Sequence, residues 1–358
     1  MSLAQSAPLS ETSTDLDLEP LAALAAEAFP ASVGRPFECA PMTGGASTRR
    51  YFRVRLGTET AVGVFVPQGS RAEEVDKGAP GGTRWPFLEV RDLLASRGVD
   101  VPAVHAEDTA RGWLLLEDLG DDTLAAFLLE HPARRQELYV RAVRDLARAQ
   151  AALSELPARS LVGSRAFDQD LLLWEIQHFR EWGLEARGVS LSREDRAIFD
   201  RVAVHLAGRI AGWRRSFVHR DYQSRNLMVR PTGGLCWIDF QDALLGPRVY
   251  DLVALLNDSY QTFDRGFVEA RLDDYAEALG FAGQGERAAL GREFDLVTVQ
   301  RKMKDAGRFV FIDRVKGNSA FLQFVEPTIA KVRASLARLL DDEEMRELAS
   351  MLARVLPE

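Results

Sequence analysis

The sequence is short of three features that mark specialised classes of protein. Its 358 residues include only two cysteines, which excludes a disulfide framework and leaves too few thiolates for a zinc site. No apolar run approaches the roughly 18 residues of a membrane helix. Positive charge is not in excess, since 45 lysines and arginines stand against 53 aspartates and glutamates, a net charge of −8. Because nucleic acid and anionic membranes attract clustered positive charge, we expect neither as a partner.

The N-terminal segment carries much of this acidity. Residues 1–19 hold four acidic residues and no basic one, which is half of the net charge, and few large apolar side chains. We expect a disordered acidic tail over these residues. The first basic residue is Arg35, so a secretory signal is not expected either, and the scarcity of cysteine fits a reducing cytoplasm.

Hydrophobic periodicity divides the rest of the chain into two parts. Apolar and polar residues alternate over 51–56, and residues 61–66 and 113–116 are short apolar runs, so all three segments are predicted strands. Beyond residue 120, apolar residues recur at helical spacing, except at 227–238, where two short runs flank Pro-Thr-Gly-Gly and predict a β-hairpin. We therefore predict a strand-rich part over 20–117, a helical part over 118–358, and a functional cleft between them.

The most informative residues flank this hairpin. The order H-x-D-x-x-x-x-N runs from His219 through Asp221 to Asn226, and Asp239-Phe240 follows the second strand. A tight hairpin returns the chain to its start, so Asp221, Asn226 and Asp239 are predicted to lie close together. One carboxylate can take a proton from a nucleophile, while an amide oxygen and a second carboxylate are suitable Mg²⁺ ligands. This order is that of a kinase catalytic loop and its metal ligand.

Three strings, HRDYQSRNLM, IDFQDA and GPRVYDL, resemble those of the aminoglycoside phosphotransferase-like kinases, the small-molecule branch of the protein-kinase fold. The resemblance implies an α+β fold of two lobes, with a small antiparallel sheet in the N-lobe and a larger helical C-lobe. It implies ATP and Mg²⁺ as cofactors, Asp221 as catalytic base, and Asn226 and Asp239 as metal ligands. By the same resemblance, His219 is a structural member of the loop, and Asp251 caps a helix and braces the site.

A narrower resemblance lies in three further segments: residues 43–53 (TGGASTRRYFR), 250–260 (YDLVALLNDSY) and 300–307 (QRKMKDAG). These are similar to the anomeric N-acetylmuramate/N-acetylglucosamine kinases of bacterial cell-wall recycling. That subgroup transfers the γ-phosphate of ATP to the C1 hydroxyl of the sugar. The resemblance therefore implies an amino sugar as the acceptor.

Glycines near residue 44 favour a phosphate-binding loop. Gly44 and Gly45 allow backbone N–H groups to approach a phosphate closely, and Ser47 or Thr48 can add hydroxyl donors. A Gly-Gly pair is also common in plain hairpin turns, so this segment predicts nucleotide binding only in combination with the downstream motif.

The predicted nucleotide site departs from the kinase pattern in one respect. The strand over residues 61–66 lacks the lysine that usually pairs with the phosphates. We expect Arg50 or Arg53 to supply the missing positive charge. Backbone groups of Glu117 and Leu119 are predicted to bind adenine.

Acceptor contacts are predicted on two helices. Glu175 and His178 are candidate partners for sugar hydroxyls, Trp174 is a candidate stacking surface, and Arg301 and Lys304 are candidates for an acceptor carboxylate. For each of these residues taken singly, a solvated helix face or an ordinary core position is the more common interpretation.

Two alternatives remain open at this point. The acceptor could be an aminoglycoside, choline, homoserine or another sugar. The missing lysine also suits a nucleotide-binding pseudokinase scaffold, whereas the intact Asp221, Asn226 and Asp239 oppose it. Protein partners also stay open.

Overall fold

The N-terminal strands form where β-branched and aromatic residues favour extended backbone. In the computed structural model, five strands pair antiparallel in the order β1-β2-β3-β5-β4. Their bounds are β1 (Phe37–Pro41), β2 (Arg50–Leu56), β3 (Glu59–Phe65), β4 (Val104–Asp108) and β5 (Trp113–Glu117). The three predicted strands are confirmed as β2, β3 and β5. The structure describes residues 16–42, 49–67, 84–259, 261–281 and 283–357.

One helix, α1 (Glu19–Ala28), completes the core of this sheet unit. Its Leu21 and Leu24 are buried with Phe52 and Trp113 of the sheet. Leu16 and Leu18 pack against the same cluster, so residues 16–19 belong to the folded unit and the tail predicted over 1–19 is too long. Residues 1–15 lie outside the described residues.

The second unit is mainly helical because long segments carry a continuous apolar stripe that has to be buried. Within the described residues its helices are α2 (Pro86–Ser96), α3 (Leu124–Glu130), α4 (Arg135–Ala152), α5 (Leu161–Ser164), α6 (Gln169–His178), α7 (Arg193–Ala211), α8 (Tyr250–Leu256), α9 (Arg265–Ala278), α10 (Gln284–Lys316), α11 (Val325–Leu336) and α12 (Glu343–Val355). None of these helices, nor α1, is long and apolar enough to span a membrane.

Four short strands of the helical unit form two antiparallel pairs. They are β6 (Arg215–Val218), β7 (Leu227–Val229), β8 (Leu235–Trp237) and β9 (Leu244–Pro247), with β6 paired to β9 and β7 paired to β8. The predicted hairpin is confirmed as β7–β8.

Helix α2 belongs to the helical unit, although its residues lie within the predicted N-terminal part, 20–117. The Leu161 N–H donates a hydrogen bond to Glu89 Oε1 on α2 at 2.6 Å, and Phe87 stacks on Phe240 at 5.1 Å between ring centroids. Residues 84–101 therefore separate from the sheet unit, which consists of the described residues of 16–67 and 102–120.

The long helix α10 approaches the end of α6 closely enough to require a glycine. An added Cβ at Gly307 would lie 2.7 Å from the His178 carbonyl oxygen and 3.0 Å from the Phe179 Cα. Both neighbours are backbone atoms, which are not free to move aside.

Replacing this glycine should therefore destabilise the protein. We expect Gly307→Ala to lower the free energy of unfolding by about 1–3 kcal/mol, the usual cost of overpacking. Gly291→Ala is a matched control on α10, because no atom lies within 4 Å of its added Cβ. The control should gain up to about 1 kcal/mol from helix propensity. Urea denaturation measures both, and equal stability of the two variants would contradict the packing argument.

Candidate active site

The catalytic-loop segment begins where β6 ends and leads into the β7–β8 hairpin. The Ile238 N–H donates to the Asn226 carbonyl at 3.0 Å, so the hairpin places Asn226 beside the residues that follow β8. The Asn226 Nδ2 donates to the Asp221 carbonyl at 2.8 Å. The structure thus brings Asp221, Asn226 and Asp239 to one end of the hairpin, as the spacing predicts.

Two residues of this segment have left-handed backbone. Arg220 has a φ of 82° and Asp239 a φ of 64°, and they are the only residues other than glycine with positive φ in the part of the chain that the structure describes. Such conformations cost about 1–3 kcal/mol each and persist only when the surroundings hold them. Asp239 is a predicted metal ligand and Arg220 directly precedes Asp221, the predicted base, which identifies this end of the hairpin as the strained part of the fold.

Asp251 on α8 supplies part of that support. Its Oδ2 accepts the His219 N–H at 2.6 Å, and its Oδ1 accepts the Arg220 N–H at 3.0 Å. The predicted bracing role is therefore visible, but the predicted helix cap is not, because the N-cap of α8 is Val249 and no side chain caps it. Burial raises the pKa of Asp251 to about 7, although the two N–H donors and Arg301 oppose the rise.

The carboxylate of Asp221 is accessible to solvent. Its side chain is 39% exposed, and the Arg301 Nη2 lies 3.5 Å from its Oδ1. Desolvation acts to raise the pKa of Asp221, but Arg301, Lys304 and Arg220 lower it by a larger amount. Asp221 is therefore ionised at neutral pH, as a proton acceptor must be.

Two oxygen groups next to Asp221 suit a hard cation. Because the Asn226 Nδ2 donates to a carbonyl, its Oδ1 is the oxygen left to coordinate a metal. The Asp239 carboxylate is exposed, and the Gln241 Nε2 donates to its Oδ1 at 2.9 Å. No group of three or more His, Cys, Asp and Glu side chains among the described residues could hold a metal alone. The donors fit Mg²⁺, which shares its coordination sphere with water and phosphate oxygens.

His219 is fully buried among aromatic rings. The ring centroids of Tyr222, Trp237 and Phe240 lie 5.7, 5.8 and 6.4 Å from its own, and all three contacts are edge-on. Burial lowers the pKa of His219 to about 4, so the imidazole is neutral at pH 7. This agrees with a structural role in the loop.

The predicted nucleotide residues are described only in part. Gly44, Gly45, Ser47 and Thr48 lie outside the described residues. On β2, the Arg50 guanidinium lies 5.6 Å from the centroid of the Phe52 ring.

Arg53 and the segment after β5 are linked by an ion pair. The Arg53 Nε lies 3.1 Å from Asp118 Oδ2. The Glu117 N–H donates to the Ala103 carbonyl at 2.9 Å, so an adenine contact at Glu117 would have to use another group. The adenine contact at Leu119 stays a prediction.

The predicted acceptor residues divide into buried and accessible groups. Glu175 and Arg301 have no exposed surface. The Glu175 Oε2 accepts from Gln300 Nε2 at 2.7 Å, so this carboxylate is used inside the protein. Lys304 has an 11% exposed side chain, with its Nζ 3.6 Å from Asp305 Oδ1. Desolvation acts against its charge, but Tyr250, Glu175 and Asp305 raise the pKa of Lys304 above its ordinary value.

His178 lies in an aromatic group at the end of α6. It stacks on Trp174 at 5.6 Å and meets Phe311 at 5.4 Å, and Trp174 itself is 44% exposed. Direct contact of Trp174, His178 or Lys304 with an acceptor stays a prediction, whereas the full burial of Glu175 and Arg301 leaves them no surface for one.

Sequence reasoning missed a second support of the catalytic loop. The Ser224 Oγ donates to Asp258 Oδ2 at 2.7 Å, and both residues are fully buried. Lys331 on α11 donates to the carbonyls of Asp258 and Gln261. The available signal was a carboxylate that follows the apolar run of α8, since such a residue is rarely buried without a partner.

Comparison with known proteins identifies the family of the chain. Residues 38–290 match the family described as the phosphotransferase enzyme family. The chain belongs to this family. Two curated members of similar sequence are N-acetylmuramate/N-acetylglucosamine kinases. The Pseudomonas aeruginosa enzyme is 34% identical over 88% of this chain and 89% of its own length. The Pseudomonas putida enzyme is 33% identical over 86% of each chain.

Solved structures of phosphotransferases share the fold. The choline kinase LicA from Streptococcus pneumoniae has a TM-score of 0.56 at 15% identity, over 88% of this chain and 98% of its own. The ADP-bound aminoglycoside phosphotransferase APH(2″)-Ib has a TM-score of 0.55 at 15% identity, over 87% and 97%. The phosphotransferase described here therefore has the two-lobed protein-kinase-like fold, with its antiparallel sheet and helical unit.

The buried His219 makes stability depend on pH. The unfolded chain takes up a proton near pH 6.5, whereas the native imidazole does so only near pH 4. Because the unfolded state then binds more protons, acidification through this window destabilises the native state. Between pH 7 and pH 5, the wild type should lose about 2 kcal/mol more free energy of unfolding than His219→Leu.

Urea denaturation at the two pH values tests this expectation. His131→Leu is the control, because His131 is an exposed histidine that follows α3. The control should follow the wild type. Equal pH dependence of all three proteins would contradict the neutral buried imidazole.

Proposed function

We propose that this phosphotransferase is an ATP- and Mg²⁺-dependent kinase that phosphorylates the anomeric C1 hydroxyl of N-acetylmuramate or N-acetylglucosamine. The observation that carries the proposal is the joint placement of Asp221, Asn226 and Asp239 at one end of the hairpin. The amino-sugar acceptor is inferred from the relatives at 33–34% identity, which align over most of both chains. The choline kinase and aminoglycoside phosphotransferase are far less similar in sequence and support the fold alone.

The proton of the acceptor goes to Asp221. Its ionised carboxylate takes the proton from the C1 hydroxyl as the C1 oxygen bonds to the γ-phosphorus of ATP. The bond from that phosphorus to the β,γ-bridging oxygen breaks, and ADP leaves. The low pKa of Asp221 makes it a weak base, so much of the acceleration must come from positioning the two reactants.

Asn226 Oδ1 and the Asp239 carboxylate would hold Mg²⁺. When bound, this ion neutralises charge on the phosphates. The Gln241 donor at Asp239 Oδ1 and the Asp221 carbonyl at Asn226 Nδ2 fix the orientation of the two metal ligands. These hydrogen bonds orient the ligands before any cation binds.

Lys304 is the accessible cation of the proposed acceptor site. Its charge acts directly on Asp221, and its side chain reaches solvent at 11% exposure. We propose that it binds the lactyl carboxylate of N-acetylmuramate. The aromatic group of Trp174 and His178 on α6 is proposed to contact the sugar ring.

An acceptor screen tests the function. Phosphorylation is measured with N-acetylmuramate, N-acetylglucosamine, choline and an aminoglycoside, and phosphorus NMR identifies the phosphorylated position. We expect C1 phosphates of the two amino sugars. Asp221→Asn is the control variant and should lower kcat by about 100- to 10,000-fold, the usual contribution of a general base. Turnover of choline or the aminoglycoside alone would exclude the amino-sugar assignment, and nucleotide binding without turnover of any acceptor would indicate a pseudokinase.

The missing strand lysine generates a second prediction. Arg50 and Arg53 are the proposed replacements, so Arg50→Ala or Arg53→Ala should raise the KM for ATP about tenfold, the value of one charge-assisted hydrogen bond. Arg55→Ala is the control on the same strand, because Arg55 is exposed and pairs across the sheet with Thr60. Steady-state kinetics at saturating acceptor give the KM values. Unchanged ATP kinetics in both Arg50 and Arg53 variants would exclude this role.

A further inference from the structure

Arg301 lies beneath the catalytic loop and has no exposed surface. Its Nη1 donates to the Arg220 carbonyl at 2.8 Å, and its Nη2 lies 3.5 Å from Asp221 Oδ1. One guanidinium therefore contacts the backbone on one side of the proposed base and the carboxylate of that base. Because it is buried, it acts on the acceptor only through Asp221.

The backbone that Arg301 holds is strained. Arg220 has left-handed φ, and Asp251 accepts the N–H groups of Arg220 and His219. Asp251 thus holds this residue from its N–H side, and Arg301 holds it from its carbonyl side. The direction in which the chain leaves Arg220 determines where the Asp221 side chain lies.

Arg301 is itself held in place. Its guanidinium lies 4.5 Å from the centroid of the Tyr250 ring, and its Nε lies 4.0 Å from Asp305 Oδ2. The planar fork of an arginine can contact a carbonyl and a carboxylate at once, whereas a lysine ammonium is a single point of attachment. The geometry therefore requires arginine here.

We propose that Arg301 is a positioning residue for phosphoryl transfer, which sets the Asp221 carboxylate by binding it and the preceding carbonyl together. The proposal rests on the proposed function, because it takes Asp221 as the base. It differs from the sequence prediction, in which Arg301 binds an acceptor carboxylate. A positioning role affects kcat, whereas a binding role affects the KM for the sugar.

The test combines two substitutions of Arg301 with Asp221→Asn. Arg301→Gln keeps a donor but removes the charge and the fork, and Arg301→Lys keeps the charge. We expect Arg301→Gln to lower kcat about 100-fold, because small misplacements of reacting groups have effects of this size. The KM values for ATP and sugar should stay within about threefold of wild type. Arg301→Lys should recover part of kcat, and circular dichroism and thermal melting verify folding.

The double variant separates positioning from general structural support. If Arg301 acts through Asp221, Arg301→Gln in the Asp221→Asn background should lower kcat by less than about threefold. A further 100-fold loss in that background, or a raised KM for the sugar with unchanged kcat, would overturn the proposal. Should Arg301→Gln fail to fold, the same cycle with Arg301→Lys decides. If Asp221→Asn alone keeps the wild-type kcat, Asp221 is not the base. That result refutes the proposed function and is distinguishable from a failure of the Arg301 proposal.

A matched control tests the loss of a buried arginine as such. Arg271 on α9 is 5% exposed, donates to Asp274 Oδ2 at 2.6 Å and lies 5.2 Å over the Phe267 ring. Arg271→Gln removes a similar ion pair and ring contact away from the catalytic loop. It should keep kcat near the wild-type value, and a kcat loss equal to that of Arg301→Gln would overturn the specific role of Arg301.

Discussion

The site depends on the Asp251 carboxylate, which holds two successive backbone N–H groups of the catalytic loop. Leaving a buried N–H without an acceptor costs about 1–3 kcal/mol, and the left-handed Arg220 adds a cost of similar size. Asp251 offsets the first cost and stabilises the conformation that causes the second. Because Asp251 is part of α8, the position in which that helix packs determines where the loop backbone is held.

The acidic groups around the loop require a compensating set of buried cations, and α10 provides it. Arg301, Lys302 and Lys304 lie within about one turn of this helix, Asp305 follows them, and Lys302 Nζ donates to Asp305 Oδ2 at 2.8 Å. Removing one member of such a buried group leaves the others uncompensated, so these charges act as a unit. The net charge of −8 therefore says little about the site, where buried cations and carboxylates are paired with one another.

The parts of the site that could be predicted from the sequence are local in the chain. Asp221, Asn226 and Asp239 lie together because a tight hairpin fixes the positions of its two ends. The few residues of the turn determine that geometry. The assignment of α2 and the burial of Arg301 depend on packing between distant segments. A charged residue on a helix has the same periodicity whether it faces solvent or a buried carboxylate, so periodicity does not distinguish the buried Arg301 from an accessible acceptor contact.

The lysine that is absent from β3 shows the same limit of sequence-based prediction in the sheet unit. Antiparallel partners share a face, and Arg53 on β2 lies directly opposite Val62 on β3. A cation on β2 therefore occupies the sheet face that carries Val62, and its ion pair with Asp118 fixes its orientation. A search restricted to a lysine on β3 would classify the chain as catalytically incomplete. Phosphate recognition needs positive charge at a position in space and not at a position in the sequence, so the register of β2 and β3 is what makes Arg53 a proposed replacement for the lysine.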